Sequence, residues 1–237
     1  MNRFFAVTLF VVALLTASMS TFAQSDSRGE ILNQIQSKRA ELKDLEAQFL
    51  APSPEDVAAH AEFLKQPDTG IVRLLPRETF DKNILTTRGG GAYYSFTRHT
   101  HEYGWGTQIG LEQDTLSTTF AGADLGIIAR LGDVPLSAVN SDSAPFKFMS
   151  SYEPTSEEPQ ARIEYQKFAT GVKVEGVFYR THQQAIVNNT YVLRGIHYSD
   201  SDVIVALRIV RKDLDDSLTV VWKLLKTYPK PVLARAQ

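Results

Sequence analysis

The sequence has no cysteine, and that single absence excludes disulfides, thiol nucleophiles and thiolate metal ligands together. It has no excess of positive charge, with 25 Lys and Arg against 27 Asp and Glu and a formal charge of −2. A chain so balanced lacks the cationic footprint that a polyanionic partner requires, so nucleic acid is not an expected ligand. No Gly-x-Ser-x-Gly stretch occurs, so the strand-turn-helix nucleophile elbow is missing as well. Long apolar runs are scarce. The one present, Phe4 to Leu15, falls short of the roughly 20 apolar residues that span a bilayer.

That short run follows Arg3 and leads to the small and polar residues before Thr21-Phe22-Ala23, the layout of a secretory signal peptide over residues 1–23 with cleavage near Ala23. The expectation is an exported protein, periplasmic or extracellular, with no transmembrane segment in the mature chain. Without disulfides to staple it, an exported chain of this size must rely on core packing.

Residues 24–66 read as a helical N-terminal segment. Ile31, Ile35, Leu42, Leu45 and Phe49 form one stripe at heptad spacing, interrupted by Lys38, so Gly29 to Leu50 is an amphipathic helix that could dock, act as a stalk, or form a weak homodimer. A second helix is predicted from Pro54 to about Lys65, with Ser53 as N-cap and Glu55 and Asp56 in the first turn. Pro67 closes it, and Asp68-Thr69-Gly70 reads as the turn that follows.

From residue 67 to 237 the pattern is that of strands, rich in β-branched and aromatic residues and punctuated by glycine. Strands are expected over Gly91 to Thr100, Thr107 to Glu112, Leu116 to Ala121 and Gly126 to Arg130. A long polar loop is expected around residues 137–160, on account of Pro145, Pro154, Pro159 and Glu157-Glu158, with strands resuming at Arg162. The C-terminal runs "NTYVLRGIHY", "VIVALRIVRK" and "LTVVWKLLK" form an antiparallel meander in which Val203, Val205, Leu207 and Ile209 share one apolar face. The opposite face is mixed, so one side of the sheet is expected to pack. The fold class is therefore mainly β: an antiparallel β-sandwich or barrel preceded by two N-terminal helices.

The chemistry concentrates in "RGGGAYYSFTRHTHEYGWG", Arg88 to Gly106. The triple glycine precedes strand-like alternation rather than a helix, so it reads as a turn and not as an anion cradle. In an extended chain His99 and His101 point the same way, which suits a zinc or iron site if a third donor joins them. Candidates for that donor are His182, His197, Glu102, Glu112 and Asp124. Tyr93, Tyr103 and Trp105 share the same expected face and offer a stacking platform for a carbohydrate or other envelope ligand. Arg73, Arg77 and Arg88 lie close in sequence to Glu78 and Asp81, which suggests surface ion pairs. The expected function is a non-enzymatic binding or cell-envelope-associated role. The alternatives are a metal-dependent enzyme at His99 and His101, or a structural protein that assembles through its helix.

Overall fold

The computed structural model describes residues 4–118, 120 and 122–234, with side chains from Ser27 onward. The chain divides into two compact units, Met1–Phe49 and Leu50–Gln237. The first unit is one helix, α1 (Phe4–Phe49), on which Ile31, Ile35, Leu45 and Phe49 are all exposed. The signal-peptide reading concerns residues whose side chains lie outside those described. Among the described residues no helix is long and apolar enough to cross a membrane.

The second unit begins with two short helices, α2 (Pro54–Ala59) and α3 (Ala61–Leu64). Ser53 caps α2 as expected, its Oγ accepting the Asp56 N–H at 3.1 Å. The single helix predicted to Lys65 breaks at His60, whose φ of −109° leaves the helical range. Asp68 then takes a φ of +57° and the chain enters strand β1 (Thr69–Leu74). A side chain at Gly70 would lie 2.5 Å from the Trp222 ring, so only glycine permits that close approach.

Ten further strands follow: β2 (Tyr93–Tyr94), β3 (Ile109–Glu112), β4 (Thr115–Ser117), β5 (Leu125–Gly132), β6 (Val172–Val174), β7 (Val177–Arg180), β8 (His182–Gln184), β9 (Thr190–His197), β10 (Ser201–Lys212) and β11 (Leu218–Thr227). They form two antiparallel sheets. The larger has the order β1-β11-β10-β9-β5-β7-β6 and the smaller β2-β3-β4-β8, so the arrangement is sandwich-like and no closed barrel forms. Val203, Val205, Leu207 and Ile209 face the small sheet's Tyr94, Ile109, Leu111 and Leu116 in one core. The C-terminal meander is present in the expected order.

Two expectations are corrected. Residues 137–160 are not a long loop, and strands do not resume at Arg162: the segment holds α4 (Ala144–Ser151), and α5 (Glu158–Thr170) runs on past it. Pro145 and Pro159 sit in the first turns of these helices, where proline costs no hydrogen bond and its fixed φ suits the helix. Prolines read as breakers are in fact starters. The second correction follows from the first. The large sheet packs on both faces, because α4 and α5 supply Met149, Phe148, Phe168 and Tyr165 to a second core over Ile204, Ala206 and Val221.

Arg194 locks this outer layer. Its guanidinium, 1 % exposed, makes paired bonds to Asp202 at 2.8 and 2.7 Å and donates to the carbonyls of Met149 and Tyr152 at the end of α4. The arginines expected to pair with Glu78 and Asp81 meet other partners. Arg73 meets Asp215, in the turn between β10 and β11, at 2.5 Å, while Arg77 and Arg88 lie over the rings of Phe80 and Tyr103.

Candidate functional site

The Arg88–Gly106 stretch is not one long strand. Its one strand is Tyr93–Tyr94. Ser95 pairs with Thr100 across a tight turn, closed by the His99 N–H on the Ser95 carbonyl at 2.8 Å. His99 adopts a φ of +54° there, so the two-residue alternation that would align His99 with His101 is interrupted. His99 packs edge-on to Trp222 at 5.3 Å, and His101 edge-on to Tyr94 at 5.2 Å. The Arg73 carbonyl, which can only accept, takes the His101 Nε2–H at 2.8 Å. Burial pushes the His101 pKa below its ordinary value, partly offset by that hydrogen bond. Among the described residues no three His, Asp or Glu side chains gather where a metal ion could be held.

The aromatics also separate. Tyr93 is 3 % exposed, enclosed by Tyr103 at 4.7 Å and Phe120 at 5.0 Å. Its hydroxyl donates to Glu112 Oε1 at 3.0 Å, and its pKa is pushed up to about 12 by burial first and by the Glu112 charge second. Tyr103 is half-buried beneath Arg88. Trp105 alone is open, at 61 % exposure, and its carbonyl accepts from Arg98 at 2.7 Å.

A polar surface lies on the outer face of the small sheet. Leu111 and Leu116 point into the core, so their neighbours Gly110, Glu112, Thr115 and Ser117 point outward. Register aligns Tyr93, Gly110, Ser117 and His182 in one row across all four strands, with Glu112, Thr115 and Gln184 in the next. The Tyr93 ring lies over Gly110, where a Cβ would come within 2.6 Å of it, and this is how its hydroxyl reaches Glu112. The result is a concavity of about 490 Å³ walled by Glu78, Glu112, Gln113, Thr115, Ser117, Tyr165, Thr181 and His182.

Glu78 and Gln113 also wall a second depression of about 380 Å³, alongside Asp114, Lys212 and Asp216. The saddle between the two is held by the Gln113 N–H on Glu78 Oε2 at 2.8 Å. The first concavity carries two carboxylates and no Lys or Arg among its lining residues. It is rich in hydroxyl and amide groups and repels anions.

Of the residues singled out in the sequence, Tyr93 therefore supports this groove through Glu112, and Tyr103 supports Tyr93. Trp105, His99 and His101 are not among its lining residues. Two of the third-donor candidates, Glu112 and His182, line it together, and two others, Asp124 and His197, pair with each other at 3.1 Å elsewhere. Ser117, Thr181 and Tyr165 gave no signal in the sequence, because their meeting depends on strand register and on a helix not expected there.

Compared with known protein families, curated proteins and solved structures, the chain has no match.

Proposed function

We propose that the protein is an exported binding domain whose small sheet presents a groove for a neutral, hydroxyl-rich ligand of the saccharide class. The observation that carries this reading is the lining of the 490 Å³ concavity: acceptors Glu78 and Glu112, mixed donor-acceptors Gln113, Thr115, Ser117 and Thr181, and the ring of Tyr165. Sugar hydroxyls need convergent donors and acceptors with an apolar or aromatic wall, and carboxylates accept them more strongly than neutral groups do. The adjoining second depression, sharing Glu78 and Gln113, suits a chain of more than one residue. The contact surface thus moves from the aromatic stretch to the sheet face that Tyr93 supports.

Titration calorimetry with neutral and acidic oligosaccharides tests this. Neutral ligands should bind, and Glu112→Ala should weaken them about tenfold or more, the scale expected for losing a hydrogen bond to a charged group. Trp105→Ala should leave binding unchanged. Tighter binding of acidic ligands, or indifference to Glu112→Ala, would overturn the reading.

A second reading, assembly through α1, draws on the exposed Ile31, Leu32, Ile35, Leu45 and Phe49. Sedimentation of the chain with and without residues before Ala51 separates it from a monomeric binder.

A further inference from the structure

The geometry points to a reactive serine, Ser201, at the end of the large sheet and apart from the groove. Three adjacent strands, β5, β9 and β10, place Asp124, His197 and Ser201 side by side. His197 and Ser201 are direct cross-strand partners, and Leu125 pairs with Ile196, which sets Asp124 beside His197. Alternation puts all three on the face toward the small sheet, since Ile128, Leu193 and Val203 of the same strands belong to the inter-sheet core. Acid, imidazole and hydroxyl thus form a row in the order of a general-base triad, which is recognised by geometry and role rather than by chain order.

Asp124 Oδ1 accepts the Tyr198 N–H at 3.0 Å, while Oδ2 lies 3.1 Å from His197 Nδ1. A carboxylate can only accept, so Nδ1 carries the ring proton that meets Asp124 and Nε2 is the ring atom left for another partner. That Nε2 is buried in a side chain 2 % exposed and, among the described residues, has no hydrogen-bond partner. Buried polar atoms are rarely left so, and such an atom calls for an explanation in function or in a bound partner. The ring extends over Gly195, where a Cβ would stand 3.4 Å from Nε2.

Ser201 lines a separate cavity of about 330 Å³ with Thr97, Arg98, Thr227, Tyr228 and Lys230. Its Oγ donates to Asp200 at 3.1 Å and accepts from Gln108 Nε2 at 3.2 Å. Rotation of Ser201 away from Asp200 is therefore required before its proton faces His197, a rearrangement compatible with catalytic hydrogen bonds that align only when substrate binds. Gln108, fully buried and held by the Phe96 N–H on its Oε1 at 2.7 Å, fixes the position of the Ser201 oxygen through its amide donor.

The substrate class is a small carboxylic ester. Ser201 Oγ forms a bond to the carbonyl carbon as its proton passes to His197 Nε2. Collapse breaks the ester C–O bond, and the proton leaves with the alcohol. Water then repeats the sequence on the acyl-serine, releasing the acid and restoring Ser201.

The test uses the full chain, a fluorophosphonate and p-nitrophenyl acetate, with intact-mass and peptide mapping. One adduct per chain on Ser201 is expected, absent in Ser201→Ala, with labelling slowed at least a hundredfold by His197→Gln and by Asp124→Asn. Circular dichroism establishes that each variant is folded. Should His197→Gln fail to fold, Ser201→Cys serves instead, since its thiol should alkylate at a rate that rises through a lower pH range than free cysteine and returns to the ordinary range on adding Asp124→Asn. No Ser201 adduct on the folded wild type, an adduct elsewhere, or equal labelling in folded His197→Gln or Asp124→Asn would overturn the proposal. So would an ordinary alkylation profile for Ser201→Cys. None of these results bears on saccharide binding at the groove.

Discussion

The two sheets treat their outer faces in opposite ways. The large sheet's outer face is roofed by α4 and α5 over Ile204, Ala206 and Val221, and the buried charges there, Arg194 and Asp202, bond to each other and, through Arg194, to the carbonyls of Met149 and Tyr152. Among the described residues the small sheet's outer face has no such apolar roof along Glu112, Thr115 and Ser117, and polar side chains line a concavity there. The roofed sheet is built on strands of 8 to 12 residues, β9 to β11, and the bare one on strands of two to four. A roofed face contributes stability and a bare one contributes recognition, since apolar burial drives folding while convergent polar groups open to solvent bind solutes.

Breaking the roof should cost most. Arg194→Ala leaves Asp202 buried without its partner and should destabilise the protein by about 3–5 kcal/mol, read as a lower midpoint in urea. The double change Arg194→Met with Asp202→Leu should recover most of that loss, because the uncompensated charge goes with the pair. Failure to recover would mean that the bonds to the α4 carbonyls matter more than the ion pair.

On the bare face a smaller effect is expected. Tyr93→Phe removes the hydroxyl that holds Glu112 and keeps the ring packed against Tyr103 and Phe120, so stability should fall by about 1–2 kcal/mol. Saccharide affinity should fall with it, because Glu112 loses its fixed orientation. Unchanged affinity would detach Tyr93 from the groove.

The smallest effect concerns pH. His101 has a folded pKa depressed by burial from an ordinary value of 6.5, so below that value the unfolded chain binds more protons than the folded one. Stability is then whole above about pH 6.5 and declines as pH falls toward the folded pKa. Urea midpoints from pH 8 to pH 5 should drop less in His101→Gln than in the wild type. Parallel slopes would show that other groups carry the acid sensitivity.

Much of the architecture was legible from periodicity. The meander from β9 to β11 follows from alternation bounded by turn residues, and the Ser53 cap with Pro54 follows from helix-terminus chemistry. The 137–160 segment was misread because proline marks both the end of one element and the start of another; Pro145 and Pro159 show the second use. The site was less legible still. Glu112, His182, Asp124 and His197 stood out only as possible metal donors, and strand pairing sends the first two to the groove and the last two to the sheet's end.

By itself the sequence determined the dominance of β structure, the absence of thiol chemistry and the order of the terminal strands, because these depend on residue type and on period-two patterning along the chain. Only the tertiary structure decided which faces are covered, that His99 turns away from strand geometry, and that Asp124, His197 and Ser201 stand in one row. Register and layer packing join residues far apart in the chain, and a one-residue shift of register would send every side chain to the opposite face.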